Sequence, residues 1–300
     1  MPQMFRRGRF WIQLGVVVAL MAFGGLLINN ITVNLIRTGL GLDFGWLWRP
    51  AGFALAETAL PYAPTDSYAW ALVIGWMNSL KVILVGLLLA TMLGVAAGAA
   101  RSSRNRLLRS LSGGYVALIR QVPLLLQLLF WYFVAFLGLP DTPVGGLIHV
   151  SNQGIRLLGL NLSVEFCSVL TGLVVFTGAS IAEIVRGGIN AVSRGQWEAF
   201  RSLGLSEGLG LRRIVLPQAL PAILPALTSQ YLNLAKNSTL AIAVGYADLY
   251  AVSDTTITQT GRALEGFLLL LLSFLLLNLI LSGGMALMNR VVLGRLQRSR

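Results

Sequence analysis

Cysteine, histidine and lysine are almost missing from these 300 residues. The only cysteine, Cys167, excludes an intrachain disulfide. With His149 as the only histidine, a metal site built from clustered His and Cys is excluded as well. The two lysines, Lys81 and Lys236, follow Leu80 and Ala235 rather than glycine, so no G-x-x-x-x-G-K-[ST] loop is present and the chain has no phosphate cradle of that kind for ATP. Charged residues make up only 11% of the chain, against about a quarter in a soluble domain. Neither a Ser/His/Asp set nor paired carboxylates inside an apolar run speaks for a membrane enzyme. Most of the acids lie outside the apolar runs, with Glu183 the main exception, and this argues against an ion-coupled secondary transporter, the alternative function.

Hydrophobic residues fill the gap at 56%. No soluble fold of this size hides so much apolar surface, so lipid is the solvent the sequence implies. A crossing helix needs about 20 apolar residues. Charge-free windows at 10–36, 82–100, 121–140, 166–182, 214–235 and 266–289 place helices near 11–30, 79–100, 116–138, 164–185, 215–236 and 266–288. The fold expected is an all-α membrane protein of six transmembrane helices.

The formal net charge of +12 would suggest nucleic acid in a soluble protein; here it is read as loop charge that orients helices, and no nucleic-acid partner is expected. With the N-terminus inside, the inner segments carry Arg6, Arg7 and Arg9; Arg101, Arg104, Arg106 and Arg109; Arg186, Arg194, Arg201, Arg212 and Arg213; and Arg290, Arg295, Arg298 and Arg300. That is sixteen of the 23 basic residues. Asp43, Glu57, Asp66, Asp141, Asp248, Asp254 and Glu265 all fall outside. This bias places both termini in the cytoplasm. The first apolar run also has the look of a signal peptide, but it is long and no small-x-small site closes it. The outer segment 31–68, with Trp70 just beyond it, contains Trp46, Trp48, Tyr62 and Tyr68, aromatics suited to the membrane interface.

The inner loop 186–213 does not fit a plain bundle. Ser193 and Gln196 have capping-box spacing, so a short helix starts there. Trp197, Phe200 and Leu203 recur on one face, Gly204 ends the helix, and Ser206 caps a second one running through Arg212 and Arg213. The hairpin so formed is either an amphipathic linker lying on lipid or a protein-docking surface.

Glu198-Ala199-Phe200, three residues, Gly204, nine residues and Ile214-Val215-Leu216-Pro217 resemble the EAA signature of ABC importer permeases, with Phe200 in place of the usual small third residue. The strings GQWEAFRSLGL (195–205) and LPQALPAILPALTSQYLNLAKNSTLAIAVGYADL (216–249) are similar to the polar amino-acid branch. So are Asn78-Ser79-Leu80 with Arg101-Ser102-Ser103-Arg104-Asn105, the stretch from Arg120 to Gln127, Glu183 to Ile189, and Gln259-Thr260-Gly261-Arg262. Residues 29–70 resemble the general L-amino-acid importers, although the outer loop 139–163 is shorter than in many of those relatives.

The resemblance implies a five-helix importer-type core plus one N-terminal helix. Its parts would be an N-terminal helix and external segment 1–70, a permease core 71–290 with a coupling hairpin at 190–213, and a cytoplasmic tail 291–300. It implies ATPase-coupling roles for Glu198, Ala199, Phe200, Gly204, Ile214, Leu216 and Pro217. The implied partners are a dimer of ATPase subunits that bind ATP and Mg, a second permease (a sister chain or this one again), an external amino-acid-binding protein and the lipid bilayer of the inner membrane. No cofactor is expected in the chain itself.

Other polar groups have two readings each. Arg120, Pro123, Gln127 and Glu183 read first as packing at the inner mouth and, alternatively, as contacts on the translocation path. Glu183 and Arg186, three apart, can pair. Lys236 and Asn237, the other two candidates for the translocation path, interrupt an apolar run; Lys236 snorkels to the outer interface or faces a wet cavity. Pro217, Pro221 and Pro225 make the fifth span a kinked packing helix or a deformable one beside the path.

Overall fold

A computed structural model describes residues 2–38, 41–58, 60–103, 105–138, 142–144, 148–151, 154–157 and 160–298. Arg104, Asp141 and Arg300, used above to orient the chain, lie outside them. The chain forms two compact units, Met1–Trp46 and Leu47–Arg300. The first holds one long helix, α1 (Pro2–Thr38), whose Trp11–Asn34 segment is long and apolar enough to cross a membrane.

The second unit opens on an irregular segment ahead of Tyr68. Pro50 bridges Ser67, and the amide of Ala51 donates to the Asp66 carbonyl at 2.8 Å. Helix α2 (Tyr68–Arg101) starts there, capped by the Ser67 hydroxyl, which accepts from the Trp70 amide. Its 34 residues span about 51 Å, more than the hydrocarbon needs.

The span expected at 116–138 is broken. Helix α3 (Arg106–Gln121) and helix α4 (Leu124–Phe130), which continues through a π-turn at Trp131–Phe136, meet at 104°. Pro123 explains the break: the preceding Val122 is pushed to φ −99°, ψ 128°, an extended conformation that no α-helix can pass through. Four short strands, β1 (Thr142–Val144), β2 (Ile148–Ser151), β3 (Gly154–Leu157) and β4 (Leu160–Ser163), then form an antiparallel meander in sequence order. Sequence periodicity gave no sign of this small sheet.

Helix α5 (Val164–Asn190) follows, capped by Ser163. After two short helices described below come α8 (Leu216–Asn237), a 3₁₀ segment (Ser238–Val244), α9 (Leu249–Thr260) and α10 (Ala263–Arg298). Among the described residues, α1, α2, α5 and α10 are long and apolar enough to cross, and the bent α3–α4 pair is a fifth candidate. The span expected at 215–236 is present as the 22-residue α8 but falls below the same apolarity, because its prolines and polar residues dilute the run.

The α2–α5 contact is the backbone of this unit. Gly86, Ala90, Gly94 and Gly98 recur every four residues on one face of α2 and are all buried. A Cβ on Gly98 would lie 2.7 Å from both the Ala182 carbonyl oxygen and Val185 Cβ, so glycine is what allows the helices to approach this closely. Hydroxyl pairs add to the packing. Thr91 Oγ1 and Tyr231 Oη are 2.7 Å apart, joining α2 to α8, and Asn289 donates to Thr228 Oγ1, joining α10 to α8. Exposed Leu84, Leu88 and Met92 on α2, and Leu271, Leu275 and Leu279 on α10, form faces that only hydrocarbon or another apolar surface can cover.

Candidate functional site

α5 ends at Asn190, and the chain turns through Ser193 into α6 (Arg194–Ser202). The helix starts where the capping-box spacing predicts, but the bonds differ. Ser193 makes no side-chain cap bond among the described residues, and Gln196 instead accepts from Nε2 of Gln218 on α8 at 3.0 Å.

The turn that ends α6 is a full Schellman motif. Gly204 sits at φ +70°, the Leu205 amide donates to the Phe200 carbonyl at 3.2 Å, and the Gly204 amide donates to the Arg201 carbonyl at 3.0 Å. Ser206 then caps α7 (Glu207–Gly210), which runs through a π-turn at Leu211–Val215 into α8. Arg201 closes the hairpin. Its Nε donates to Glu207 at 2.8 Å while its guanidinium lies 5.4 Å from the Trp197 ring centre. The hydrogen bond to Glu207 holds the guanidinium above its ordinary pKa.

The seven residues assigned to coupling divide sharply. Glu198, Ala199 and Gly204 are exposed, on the outer side of the hairpin. Phe200 is 0% exposed and belongs to the core cluster with Ile189, Val192, Val215 and Ala219; Ile214 and Leu216 pack against that cluster, and Pro217 is half-buried in the first turn of α8. The apolar face expected from Trp197, Phe200 and Leu203 is therefore corrected: Phe200 points inward and Leu203 is 74% exposed. Three residues turn a helix by about 300°, so each step of three drifts about 60° and the stripe leaves the core by its third member. Half-buried Trp197 stands between two clefts of about 470 Å³ each. One is lined by Asn190, Arg194, Glu198 and Arg201, the other by Ala96, Ala99, Ser102 and Leu108.

The candidate path residues fall at three places. Arg120 is exposed on the last turn of α3, Pro123 is at the corner, and buried Gln127 spans it. The Gln127 side-chain nitrogen donates to the carbonyls of Ile119 and Val122, each at 2.9 Å, and so caps the end of α3. Glu183 on α5 accepts from Arg186 Nε at 3.0 Å and from Arg101 at the end of α2. The local pair expected from the sequence is present, and Arg101 extends it. Lys236 is exposed and Asn237 half-buried at the far end of α8.

A second polar cluster went unread in the sequence. Glu57, from the irregular segment ahead of α2, takes Lys81 and the Ser163 hydroxyl on its two oxygens, and the Lys81 ammonium lies 4.2 Å from the centre of the Phe166 ring. Beside it, Asn78 Nδ2 donates to the carbonyls of Glu57 (2.9 Å) and Ala247 (2.8 Å), Tyr246 donates to the Asn78 carbonyl, and the Leu249 amide donates to Ser79. Asp248 caps α9 through the Ala251 amide at 2.8 Å; burial pushes its carboxyl up to about 7. The available signal was Lys81, a cation within an otherwise apolar run that needed a partner.

Residues 86–293 match the model of the family described as the inner membrane component of binding-protein-dependent transport systems. The chain belongs to that family. It is 32% identical to the general L-amino acid transport system permease protein AapQ of Rhizobium johnstonii, with 84% of each chain covered. It is also 32% identical to the glutamate/glutamine/aspartate/asparagine transport system permease protein BztB of Rhodobacter capsulatus, over 94% of this chain and 93% of that one. Among solved structures it is similar to a chain of an amino acid ABC transporter crystallised with histidines, with a TM-score of 0.59, 28% identity, and 74% of this chain and 94% of that one covered. As a member of this family the protein is a multi-pass inner-membrane component, and its long apolar helices suit that place.

Proposed function

We propose that the chain is the transmembrane permease subunit of an ATP-binding-cassette importer that carries L-amino acids into the cytoplasm. The observation that carries this reading is the hairpin. A nine-residue helix, locked at both ends by α5 and a Schellman turn, presents Glu198, Ala199 and Gly204 outward while Phe200 fastens it to the helix bundle. A flexible linker lying on lipid would need none of that fixed geometry. The relatives named above, permeases of amino-acid transport systems, support the choice of cargo.

In this reading α6 docks on an ATPase subunit, one of a dimer that binds ATP and Mg; this chain supplies the pathway and no hydrolysis. A second permease, homologous or identical, completes the pore, and an external binding protein delivers the amino acid. Both termini and the hairpin are cytoplasmic, and the core lies within 71–290. Reconstitution in liposomes tests it: ATP-dependent uptake requires the ATPase and the binding protein, and Glu198→Lys or Gly204→Asp abolishes uptake while leaving the permease inserted. Accumulation driven by a sodium or proton gradient through the isolated chain overturns the proposal.

A further inference from the structure

Phe200 is the one departure from the signature in the hairpin, and the structure shows what accommodates it. A Cβ on Gly210 would lie 2.5 Å from Cε2 and 2.7 Å from Cγ of the Phe200 ring, well inside the roughly 3.5 Å at which carbon atoms meet. The backbone of Gly210 is ordinary helix, φ −60° and ψ −45°, so no conformational reason calls for glycine there. Glycine inside a helical stretch costs about 1 kcal/mol relative to alanine. The ring supplies a steric reason for it. Gly208, two residues earlier, differs: a Cβ there meets nothing within 4 Å among the described residues.

We infer that Phe200 and Gly210 form a matched anchor and socket that sets the orientation of α6, so that Phe200 is a positioning residue for the docking face and no part of that face. The same residue acts twice. Its carbonyl accepts the Leu205 amide and closes the turn, and its side chain enters the cluster that holds Ile189 and Val192 at the end of α5 and Val215 and Ala219 at the start of α8. Glu198 and Ala199 immediately precede this anchor. A push on them passes through the Phe200 ring to both helices without an intervening flexible joint. A Cβ at residue 210 lifts the ring out of its socket, and the push then spends itself on the loosened hairpin.

The inference rests on the docking role proposed above, and the test separates the two. Full-length wild type, Gly210→Ala, Phe200→Ala, the double variant and Gly208→Ala are each compared in two assays. Amide exchange of residues 196–211 is measured on the permease alone in lipid nanodiscs, and amino acid carried per ATP hydrolysed is measured in the reconstituted importer. Gly210→Ala is expected to speed exchange in this segment about tenfold and to lower the transport ratio several-fold. Phe200→Ala alone empties the socket and also speeds exchange; the double variant is expected to be no worse than Phe200→Ala, because the added Cβ then meets no ring, and Gly208→Ala changes neither readout. Wild-type exchange and coupling in Gly210→Ala, or effects of the two substitutions that add in full in the double variant, overturns the inference. If wild type shows no ATP-driven uptake at all, the importer reading fails, while the exchange pattern still decides whether the pair sets the hairpin.

Discussion

Glu183, two turns before the end of α5, accepts a hydrogen bond from Arg101, the last residue of α2, and so ties the end of α2 to the helix it packs against most extensively. Arg186 holds the other carboxylate oxygen. The three side chains are partly screened, 21–35% exposed, so the cluster is worth far less than a dry ion pair. Glu183→Gln leaves two guanidinium groups facing a neutral amide. It is expected to cost about 1–2 kcal/mol, read as a lowered Tm in detergent. Arg101→Gln added to it should cost little more, because the partner is already gone; full additivity in the double-mutant cycle would refute the coupling.

The glycine stripe of α2 makes a sharper demand. Gly98→Leu drives a side chain into Val185 and the Ala182 carbonyl and should strongly reduce the yield of folded protein, with at least about 1–3 kcal/mol lost. Gly187→Ala, where a Cβ meets nothing within 4 Å among the described residues, is the control and should behave as wild type. Equal stability of the two variants would show that the helices do not meet at Gly98.

Asp248 predicts a pH dependence. It lies in the linker ahead of α9, outside the spans, at 1% exposure, and its Oδ2 finds no partner among the described residues. Its carboxyl protonates at about 7 in the fold against 3.8 for the ordinary group. Folding therefore takes up a proton between these values. The contribution of this group to stability is greatest at low pH, falls as pH rises through that window, and is flat above it. Asp248→Asn keeps the capping oxygen and cannot ionise. The variant should be more stable than wild type by a few degrees at pH 8 and show no advantage at pH 4. An advantage equal at both pH values would remove the ionisation argument.

Orientation has its own measurement. Reporter fusions after residues 8, 107, 195 and 298 should report the cytoplasm, and fusions after 45, 150 and 255 the exterior. A cytoplasmic signal at 150 would mean that the bent α3–α4 pair does not cross.

Legibility in the sequence followed the range of the interactions. Local chemistry was readable: the start of α6 at Ser193, the turn at Gly204, the cap at Ser206 and the Glu183–Arg186 pair all depend on residues within a few positions of each other. The corner at Pro123 was visible as a proline, but the apolar run around it continues from 121 to 140 and concealed that the helix does not. What needed a distant partner stayed hidden. Phe200 faces inward because Gly210 makes room and because Ile189, Val215 and Ala219 converge there; Lys81 is held by Glu57, twenty-four residues earlier and on a different element. The small-residue repeat from Gly86 to Gly98 was present as a four-residue period, and only the approach of α5 gives it meaning.

Proline lacks an amide hydrogen, so Pro217, Pro221 and Pro225 leave the carbonyls of Arg213, Pro217 and Pro221 with no donor four residues on. The last two of these oxygens lie about 6 Å apart along α8, with that of Arg213 in the π-turn just ahead of it. Pro221 and Pro225 are exposed in the single chain. A carbonyl left without a donor in hydrocarbon costs several kcal/mol, so this flank favours water or a neighbouring polypeptide over acyl chains. Along that edge α8 is suited to border water or polypeptide rather than acyl chains.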